Sequence, residues 1–346
     1  MEQTTAQQAA ATAGRNSSED DDRPSSLIII FDMNRTGWAA TVAAGGPSPQ
    51  EVAESLLTFI RAFFLLHGAN SITVLAAHAG GSEILYQSQS LKKNNATQST
   101  GREVGALEMD YVDGEIHAAI VGLAQRIAHE NSVVDKVIDE ASVLSSAFAM
   151  AACMCNRLVS DKLRQSIPRV FCIVSGTQLP GQYIPIMNSV FSFQKAGVLV
   201  DSLVVSPQDC SLLQQASDIT HGVYLRPSLS NLEGGALVQW LLSVFLSDRA
   251  VRYQDATMQK PLLRLPRPLH VDYRSSCFKS GEPVDVGFVC SVCLSIFKDA
   301  VFVCPTCESK IQQDRPAAAS SAPSKKRKTI PPKKPPSASG SAKSGE

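Results

Sequence analysis

Short apolar runs alternate along most of the chain with longer stretches in which apolar positions recur at helical spacing. The clearest run is Leu-Ile-Ile-Ile-Phe at 27–31, which is largely β-branched and ends abruptly at Asp32. Such an unbroken run is typical of a central strand of a parallel sheet, because both faces of that strand are buried. Further strands are predicted at 71–77, 82–86, 169–175, 198–205 and 223–225.

Helical spacing is clearest between residues 48 and 67. Ser48 is a preferred N-cap and Pro49 suits the first helical position, so the helix is predicted to begin there. Its apolar residues form a stripe that can cover one face of a sheet. Further helices are predicted at 113–129, 142–164, 185–196, 210–220 and 232–246. Strands that alternate with helices predict an α/β fold with a doubly wound, mostly parallel sheet.

Shifts in composition divide the chain into five predicted segments. They are a disordered acidic N-terminal tail at 1–25, the α/β domain at 26–247, a proline-containing connector at 248–269, a small cysteine module at 270–312 and a disordered basic tail at 313–346. Both tails lack the apolar residues that would offset the entropy lost on ordering.

Composition and charge favour a soluble globular protein. Of the 346 residues, 44% are hydrophobic and 18% are charged, and the formal net charge is zero. The first residues have neither the basic region nor the apolar stretch of a signal peptide, and no segment has the roughly 18 continuous apolar residues of a membrane span. We therefore expect an intracellular protein without membrane contact, whose nine cysteines do not form a disulfide framework.

Two C-x-x-C motifs, Cys290 with Cys293 and Cys304 with Cys307, lie close together in the cysteine module. Each motif places two thiolates on a tight turn, and two such turns complete the tetrahedron preferred by Zn²⁺. Four thiolates close the coordination shell, so the predicted zinc is structural. A redox C-x-x-C is the alternative, which suits a single motif at a helix start. Cys277 lies upstream and is interpreted as a spare thiol, with a ligand role left open.

The cysteine module carries more apolar side chains than so small a unit can bury. Phe288, Val292 and Ile296 are therefore candidate contacts for a protein partner.

A compact basic run lies in the C-terminal tail at Lys325, Lys326, Arg327 and Lys328. It is typical of a nuclear import signal, and we expect a nuclear protein; a solvated charge run is the alternative. Other lysines of this tail would allow non-specific, salt-dependent contact with nucleic acid.

Oxygen-bearing side chains alternate at Asp32, Asn34 and Thr36, directly after the first strand. Open α/β sheets form ligand crevices at this carboxyl edge, and oxygen ligands are what Mg²⁺ requires. The chain has no G-x-x-x-x-G-K-[ST] phosphate loop and no G-x-S-x-G motif around Ser175. We assign no catalytic residue, and the chain is predicted not to be an enzyme.

The loop at Asp32, Asn34 and Thr36, with the alternating strands and helices, resembles a von Willebrand A-type domain. Residues 287–297, GFVCSVCLSIF, and the CPTC motif narrow the resemblance. Over roughly residues 24–312 the chain is similar to the family of smaller von Willebrand A-type subunits of the general transcription and DNA-repair factor TFIIH.

The resemblance also bears on the metal. Metal-binding A-type domains use a D-x-S-x-S loop, a downstream Thr and an Asp in a D-G turn. Asp32 matches, Asn34 replaces a serine and Thr36 is a substitute. The downstream Thr would fall near Ser145 or Ser146, and the D-G turn corresponds to Ser175–Gly176.

The second carboxylate of the metal site is therefore missing, and one carboxylate with neutral groups would hold Mg²⁺ weakly. We expect a degenerate, empty site in which Asp32 and Asn34 bond to backbone amides. An enzyme with an active metal centre at Asp32 is disfavoured for the same reason.

The resemblance implies a non-catalytic scaffold subunit of the TFIIH core, acting in transcription initiation by RNA polymerase II and in nucleotide excision repair. The implied partners are the second von Willebrand A-type subunit and the subunit that regulates the XPB helicase. The alternative is a nucleic-acid-binding module formed by the zinc unit and the basic tail, although the zinc unit carries few basic residues.

Overall fold

The computed structural model describes residues 24–88, 114–122, 125, 143–160, 166–176, 182–232, 235–247, 252, 265–266, 271–280 and 282–310. The predicted basic run, nearly all of the two predicted tails and most of the predicted connector lie outside the described residues. The helix predicted at 113–129 is described over 114–122, where it is helical, and at residue 125.

A six-stranded sheet forms the centre of the α/β domain, in the order β3-β2-β1-β4-β5-β6. Its strands are β1 (Ser25–Asp32), β2 (Ser71–His78), β3 (Gly81–Gln87), β4 (Ile167–Val174), β5 (Leu199–Val204) and β6 (Tyr224–Leu225). All neighbouring strands pair in parallel except β3, which is antiparallel to β2. The predicted mostly parallel sheet is confirmed, with the apolar run of β1 near its centre.

Helices cover both faces of this sheet. They are α1 (Arg35–Ala43), α2 (Pro49–Leu66), α3 (Leu144–Ser160), α4 (Tyr183–Ala196), α5 (Ser211–Ile219) and α6 (Ala236–Trp240), the last of which continues as a π-helix at Leu241–Phe245. Alternate residues of β1 point to opposite faces. Leu27, Ile29 and Phe31 pack with α2 and the π-helix, whereas Ile28 and Ile30 pack with α3, α4 and α5.

Local signals account for the best-predicted helix. In α2, the Ser48 hydroxyl accepts a hydrogen bond from the Glu51 amide, and the Glu51 carboxylate accepts one from the Ser48 amide. The helix predicted at 232–246 differs more. It begins only at Ala236, because Gly235 has a left-handed conformation with φ of 84°.

Arg252, one of the three described residues of the predicted connector, is buried against the α/β domain. Arg252 is only 4% exposed, and its Nη1 donates to both carboxylate oxygens of Asp201, at 2.7 and 2.9 Å. Asp201 lies in β5 and is fully buried. Arg252 also donates from Nε to the Ser247 carbonyl and from Nη2 to the Phe245 carbonyl. The buried carboxylate is therefore paired with a buried cation.

The cysteine module contains two short antiparallel ladders. One joins β7 (Ser275–Ser276) to β8 (Pro283–Val284), and the other joins β9 (Phe288–Val289) to β10 (Ile296–Phe297). The buried core of the module is small and consists of Cys277, Val284, Cys290, Phe297 and Cys304.

The first described residues of the cysteine module, Asp272 and Tyr273 among them, form hydrogen bonds with α5. Gln215 donates from Nε2 to the Asp272 carbonyl at 2.6 Å, and the Tyr273 hydroxyl donates to the Asp218 carboxylate.

Among the described helices, none combines the length and the apolar character needed to cross a membrane.

Candidate metal centre

The ends of β1 and β4 lie side by side because these strands are parallel neighbours. Asp32 ends β1, and Ser175 and Gly176 follow β4 directly. The Asp32 carboxylate is buried, and its Oδ2 accepts hydrogen bonds from the backbone amides of Ser175 and Gly176, at 3.3 and 3.2 Å, and from the Ser175 hydroxyl at 3.4 Å. One carboxylate oxygen thus joins the two strand ends.

The other carboxylate oxygen of Asp32 and the side-chain oxygen of Asn34 also receive hydrogen bonds. Asp32 Oδ1 accepts from the Asn34 amide at 3.1 Å. Asn34 Oδ1 accepts from the Thr36 hydroxyl at 2.8 Å and from the Gly37 amide at 3.2 Å, which makes Asn34 the N-cap of α1. These N–H and O–H donors direct their positive ends at the lone pairs that a hard cation would need.

Two glycines allow the loops to touch. A Cβ atom at Gly176 would lie 2.3 Å from Nδ2 of Asn34, and a Cβ atom at Gly37 would lie 2.8 Å from Oγ of Ser175. Any larger residue at either position would push the two loops apart.

The serines expected near the downstream Thr position lie in the first turn of α3. The Ser145 amide donates to Oε1 of Gln182 at 3.0 Å, and the Ser146 hydroxyl donates to the Val143 carbonyl at 2.8 Å. These bonds belong to the start of α3 and do not reach Asp32.

The second candidate centre is formed by the four cysteines of the two C-x-x-C motifs. Their sulfur atoms all lie within 4.8 Å of one another, and all four thiols are free. Cys293 and Cys304 are separated by 3.5 Å between Sγ atoms, and Cys290 and Cys307 by 3.8 Å. A tetrahedron with Zn–S bonds of about 2.3 Å has edges of about 3.8 Å. The donor set and its spacing therefore fit a tetrahedral metal ion.

Each C-x-x-C motif forms the same turn. In the first, the Leu294 amide donates to the Cys290 carbonyl at 3.0 Å, and the Cys290 amide donates to the Ser295 carbonyl at 2.9 Å. The second turn repeats both bonds, at 2.8 and 2.9 Å, with Cys304, Glu308 and Ser309. Leu294 and Glu308 are both left-handed, with φ of 60° and 57°. The two halves of the centre are thus built alike.

Hydrogen bonds alter the acidity of these thiols. A hydrogen bond from the Cys293 amide, followed by one from the Ser309 hydroxyl, lowers the pKa of the Cys290 thiol to about 6. The hydroxyl and amide of Ser295 lower the pKa of the Cys293 thiol. Ser309 also lowers the pKa of the Cys307 thiol, but desolvation and the neighbouring sulfurs raise it by more. Thiolates are the metal-binding form of cysteine, and the first turn favours them.

Cys277 lies outside this cluster. It is buried in the small core of the module, where its Sγ accepts a hydrogen bond from the Lys298 amide at 3.4 Å. It packs beside the four clustered thiols as an additional free cysteine.

The module exposes several large apolar side chains. Of the predicted contact residues, Phe288 is 54% exposed and Val292 is 68% exposed. Ile296 is only partly exposed because it lies over Gly287, where a Cβ atom would come within 2.8 Å of it. Phe302, which is not among the predicted contact residues, is 74% exposed.

The fold and the cysteine cluster define a class of protein, in which an α/β domain with a mostly parallel six-stranded sheet is followed by a small four-cysteine module. Residues 24–308 match the family described as Transcription factor Tfb4, and the chain belongs to that family. The resemblance drawn from the sequence is confirmed.

Individual relatives agree with this assignment. A protein of Arabidopsis thaliana, named General transcription and DNA repair factor IIH subunit TFB4, is 30% identical over 298 residues, which cover 85% of this chain and 91% of the relative. A protein of Dictyostelium discoideum, named General transcription factor IIH subunit 3, is 32% identical and covers 74% of this chain and 66% of the relative. The solved TFIIH p34 N-terminal domain has a similar fold, with a TM-score of 0.50 at 23% identity, covering 64% of this chain and 98% of that domain.

Proposed function

We propose that the chain is a non-catalytic scaffold subunit of the TFIIH core in the nucleus, where it joins partner subunits for transcription initiation by RNA polymerase II and for nucleotide excision repair. The family match carries this proposal, because it spans both the α/β domain and the four-cysteine module. The relatives named as TFIIH subunits support it.

The partners proposed are the second von Willebrand A-type subunit and the subunit that regulates the XPB helicase. The α/β domain would dock one and the cysteine module the other. Copurification of the tagged full chain from nuclear extract, with identification of bound proteins by mass spectrometry, tests the proposal. Recovery of the chain without TFIIH subunits would contradict it.

The strand-end loop is proposed to be structural, with no divalent cation and no catalytic role. The hydrogen bonds to Asp32 and Asn34 support this proposal, since a cation would have to displace N–H and O–H donors from both carboxylate oxygens and from the amide oxygen.

The four clustered cysteines are proposed to hold one structural Zn²⁺. When bound, the ion would cross-link the two turns of the module. The free energy of such binding, about 10 to 16 kcal/mol in comparable peptides, can hold a unit whose apolar core is small.

The exposed apolar side chains of the module are proposed to contact a protein partner. Phe288 and Val292 would be its main contributors, and Ile296 a smaller one because it is partly covered. Truncating an apolar anchor of this kind typically costs about 2 kcal/mol of binding free energy, roughly a thirtyfold change in affinity.

Charged substitutions test this surface in the full chain. We expect Val292→Asp and Phe288→Asp to weaken subunit association at least about thirtyfold while zinc content is retained. Ser291→Asp, at a neighbouring exposed position, is the matched control for added charge. Unchanged association together with a collapse of DNA affinity would replace the scaffold interpretation of the module by the nucleic-acid one.

A further inference from the structure

The two turns of the cysteine centre share a longer pattern than C-x-x-C. They read Cys-Ser-Val-Cys-Leu-Ser at 290–295 and Cys-Pro-Thr-Cys-Glu-Ser at 304–309, so a serine follows each second cysteine by two positions. The Ser295 hydroxyl oxygen lies 3.1 Å from Sγ of Cys293, and the Ser309 hydroxyl oxygen lies 3.0 Å from Sγ of Cys307. The repeat therefore places one hydroxyl beside a sulfur in each turn.

Ser309 also connects the two turns. Its hydroxyl oxygen lies 3.5 Å from Sγ of Cys290, which belongs to the other C-x-x-C motif. A serine hydroxyl has one proton to donate. At any moment Ser309 can therefore donate a hydrogen bond to only one of its two neighbouring sulfurs.

The burial of Ser295 indicates that its hydroxyl forms a hydrogen bond within the module. Ser295 is 1% exposed, and a buried hydroxyl without a partner is costly. Its backbone carbonyl already closes the turn by accepting from the Cys290 amide, a bond that any residue would supply. The side chain is therefore not needed for the turn, and the Cys293 sulfur is its hydrogen-bonding neighbour.

The excess negative charge of a four-thiolate zinc centre gives a physical reason for hydroxyl donors beside the sulfurs. Four thiolates carry four negative charges, of which one Zn²⁺ neutralises two. Hydrogen bonds to charged acceptors are stronger than those between neutral groups, so hydroxyl donors beside the sulfurs stabilise the excess charge.

We propose that Ser295 and Ser309 are positioning residues of the metal centre, which donate hydrogen bonds to the Cys293 and Cys307 thiolates and thereby fix their orientation and strengthen zinc retention. This inference rests on the proposed zinc site. Partners that bond to metal ligands in this way commonly contribute about 10- to 100-fold to metal affinity.

The test uses the full chain with S295A and S309A, which remove the hydroxyls but keep the backbone bonds of each turn. S291A and T306A are the matched controls, because both residues lie within the same turns and are exposed. Zinc affinity is measured by competition with a chromophoric chelator, and the centre is reconstituted with Co²⁺ to record its sulfur-to-metal charge-transfer absorption.

We expect S295A and S309A each to lower zinc affinity by about 10- to 100-fold and to shift the Co²⁺ charge-transfer bands, with both controls unchanged. S309T, which keeps a hydroxyl at a partly exposed position, should restore affinity and spectrum. Folding of each variant is checked by circular dichroism.

Two outcomes overturn the proposal and are distinguishable. Folded S295A and S309A variants with unchanged affinity and unchanged Co²⁺ spectra would remove the role of the serines and leave the zinc proposal standing. An unsubstituted chain that binds no zinc would remove both. Subunit association, measured separately, decides the scaffold proposal independently of either result.

Discussion

The cysteines of the module differ in what surrounds their sulfur atoms. Cys277 accepts a backbone amide inside a small apolar core, whereas Cys290 and Cys307 face each other across the sulfur cluster at 3.8 Å. Chemical role at this scale depends on neighbours brought together by folding, since all these residues have the same side chain.

We expect the Cys277→Ser variant to retain about one zinc ion per chain. The combined Cys290→Ser and Cys307→Ser substitution should lose the zinc, because it removes two of the four ligands of the tetrahedron. Metal analysis of the purified full chain measures both. Zinc that persists in the double variant would contradict the assignment of the ligands.

Gly176 offers a second test at this scale. We expect Gly176→Ala to lower the free energy of unfolding by about 1 to 3 kcal/mol, because the new methyl group would lie 2.3 Å from Nδ2 of Asn34. Gly114→Ala is the control, since nothing lies within 4 Å of a Cβ atom there. Because Gly114 begins a helical stretch, this change should not destabilise the protein and can stabilise it by up to about 1 kcal/mol. Equal effects in urea unfolding would show that the loops do not touch as described.

Elements whose signals are local were predicted best. The run of β1 and the Ser48–Glu51 capping box of α2 are contained in a few neighbouring residues. Helix α1 was not predicted, because it is nine residues long and weakly amphipathic, and its cap, Asn34, was interpreted as part of a degenerate metal loop. The helix predicted at 232–246 begins only at Ala236, and the adjacent glycines Gly234 and Gly235 in the sequence would have indicated this later start.

Contacts between distant residues had no comparable signal. The bonds from Ser175 and Gly176 to Asp32 cross more than a hundred residues of sequence, and no periodicity reports them. The serine repeat of the cysteine centre, by contrast, was visible in the sequence as C-x-x-C-x-S, although its bonds to sulfur depend on the folded turns.

The loop between β1 and α1 leads to a prediction about metals. We expect Mg²⁺ or Mn²⁺ to leave the melting temperature of the α/β domain nearly unchanged, because both oxygens of Asp32 already accept hydrogen bonds from protein donors. Differential scanning fluorimetry with increasing metal concentration measures this. A saturable rise in melting temperature that Asp32→Ala abolishes would establish an active cation site.

At the scale of the whole molecule, the burial of Arg252 bears on where the α/β domain ends. The domain was expected at 26–247, yet Arg252 is buried against β5. We propose that the domain extends at least to residue 252. The bonds of Gln215 and Tyr273 then connect α5 to the entry of the cysteine module.

We expect Arg252→Ala to lower the free energy of unfolding by up to about 3 to 5 kcal/mol, because it removes the closer of the two buried arginines that pair with the Asp201 carboxylate and leaves Arg169 at 3.8 Å. Arg226→Ala is the matched control: it breaks an ion pair of similar length with Asp209, but that pair is substantially exposed and should contribute about 1 kcal/mol or less. Comparable losses for the two variants in chemical denaturation would contradict a buried pairing.

The burial of Arg252 also has a consequence for synthesis of the chain. Translation proceeds from the N-terminus, and domains generally fold as units as they emerge. A nascent chain that has released residues only as far as 247 contains every strand of the six-stranded sheet, but Asp201 still lacks the guanidinium of Arg252 and has Arg169, at 3.8 Å, as its buried cation. The α/β domain therefore reaches its full stability only after the ribosome has moved past residue 252, and a stop codon in the few positions before it would leave a complete sheet around a buried carboxylate that lacks this cation.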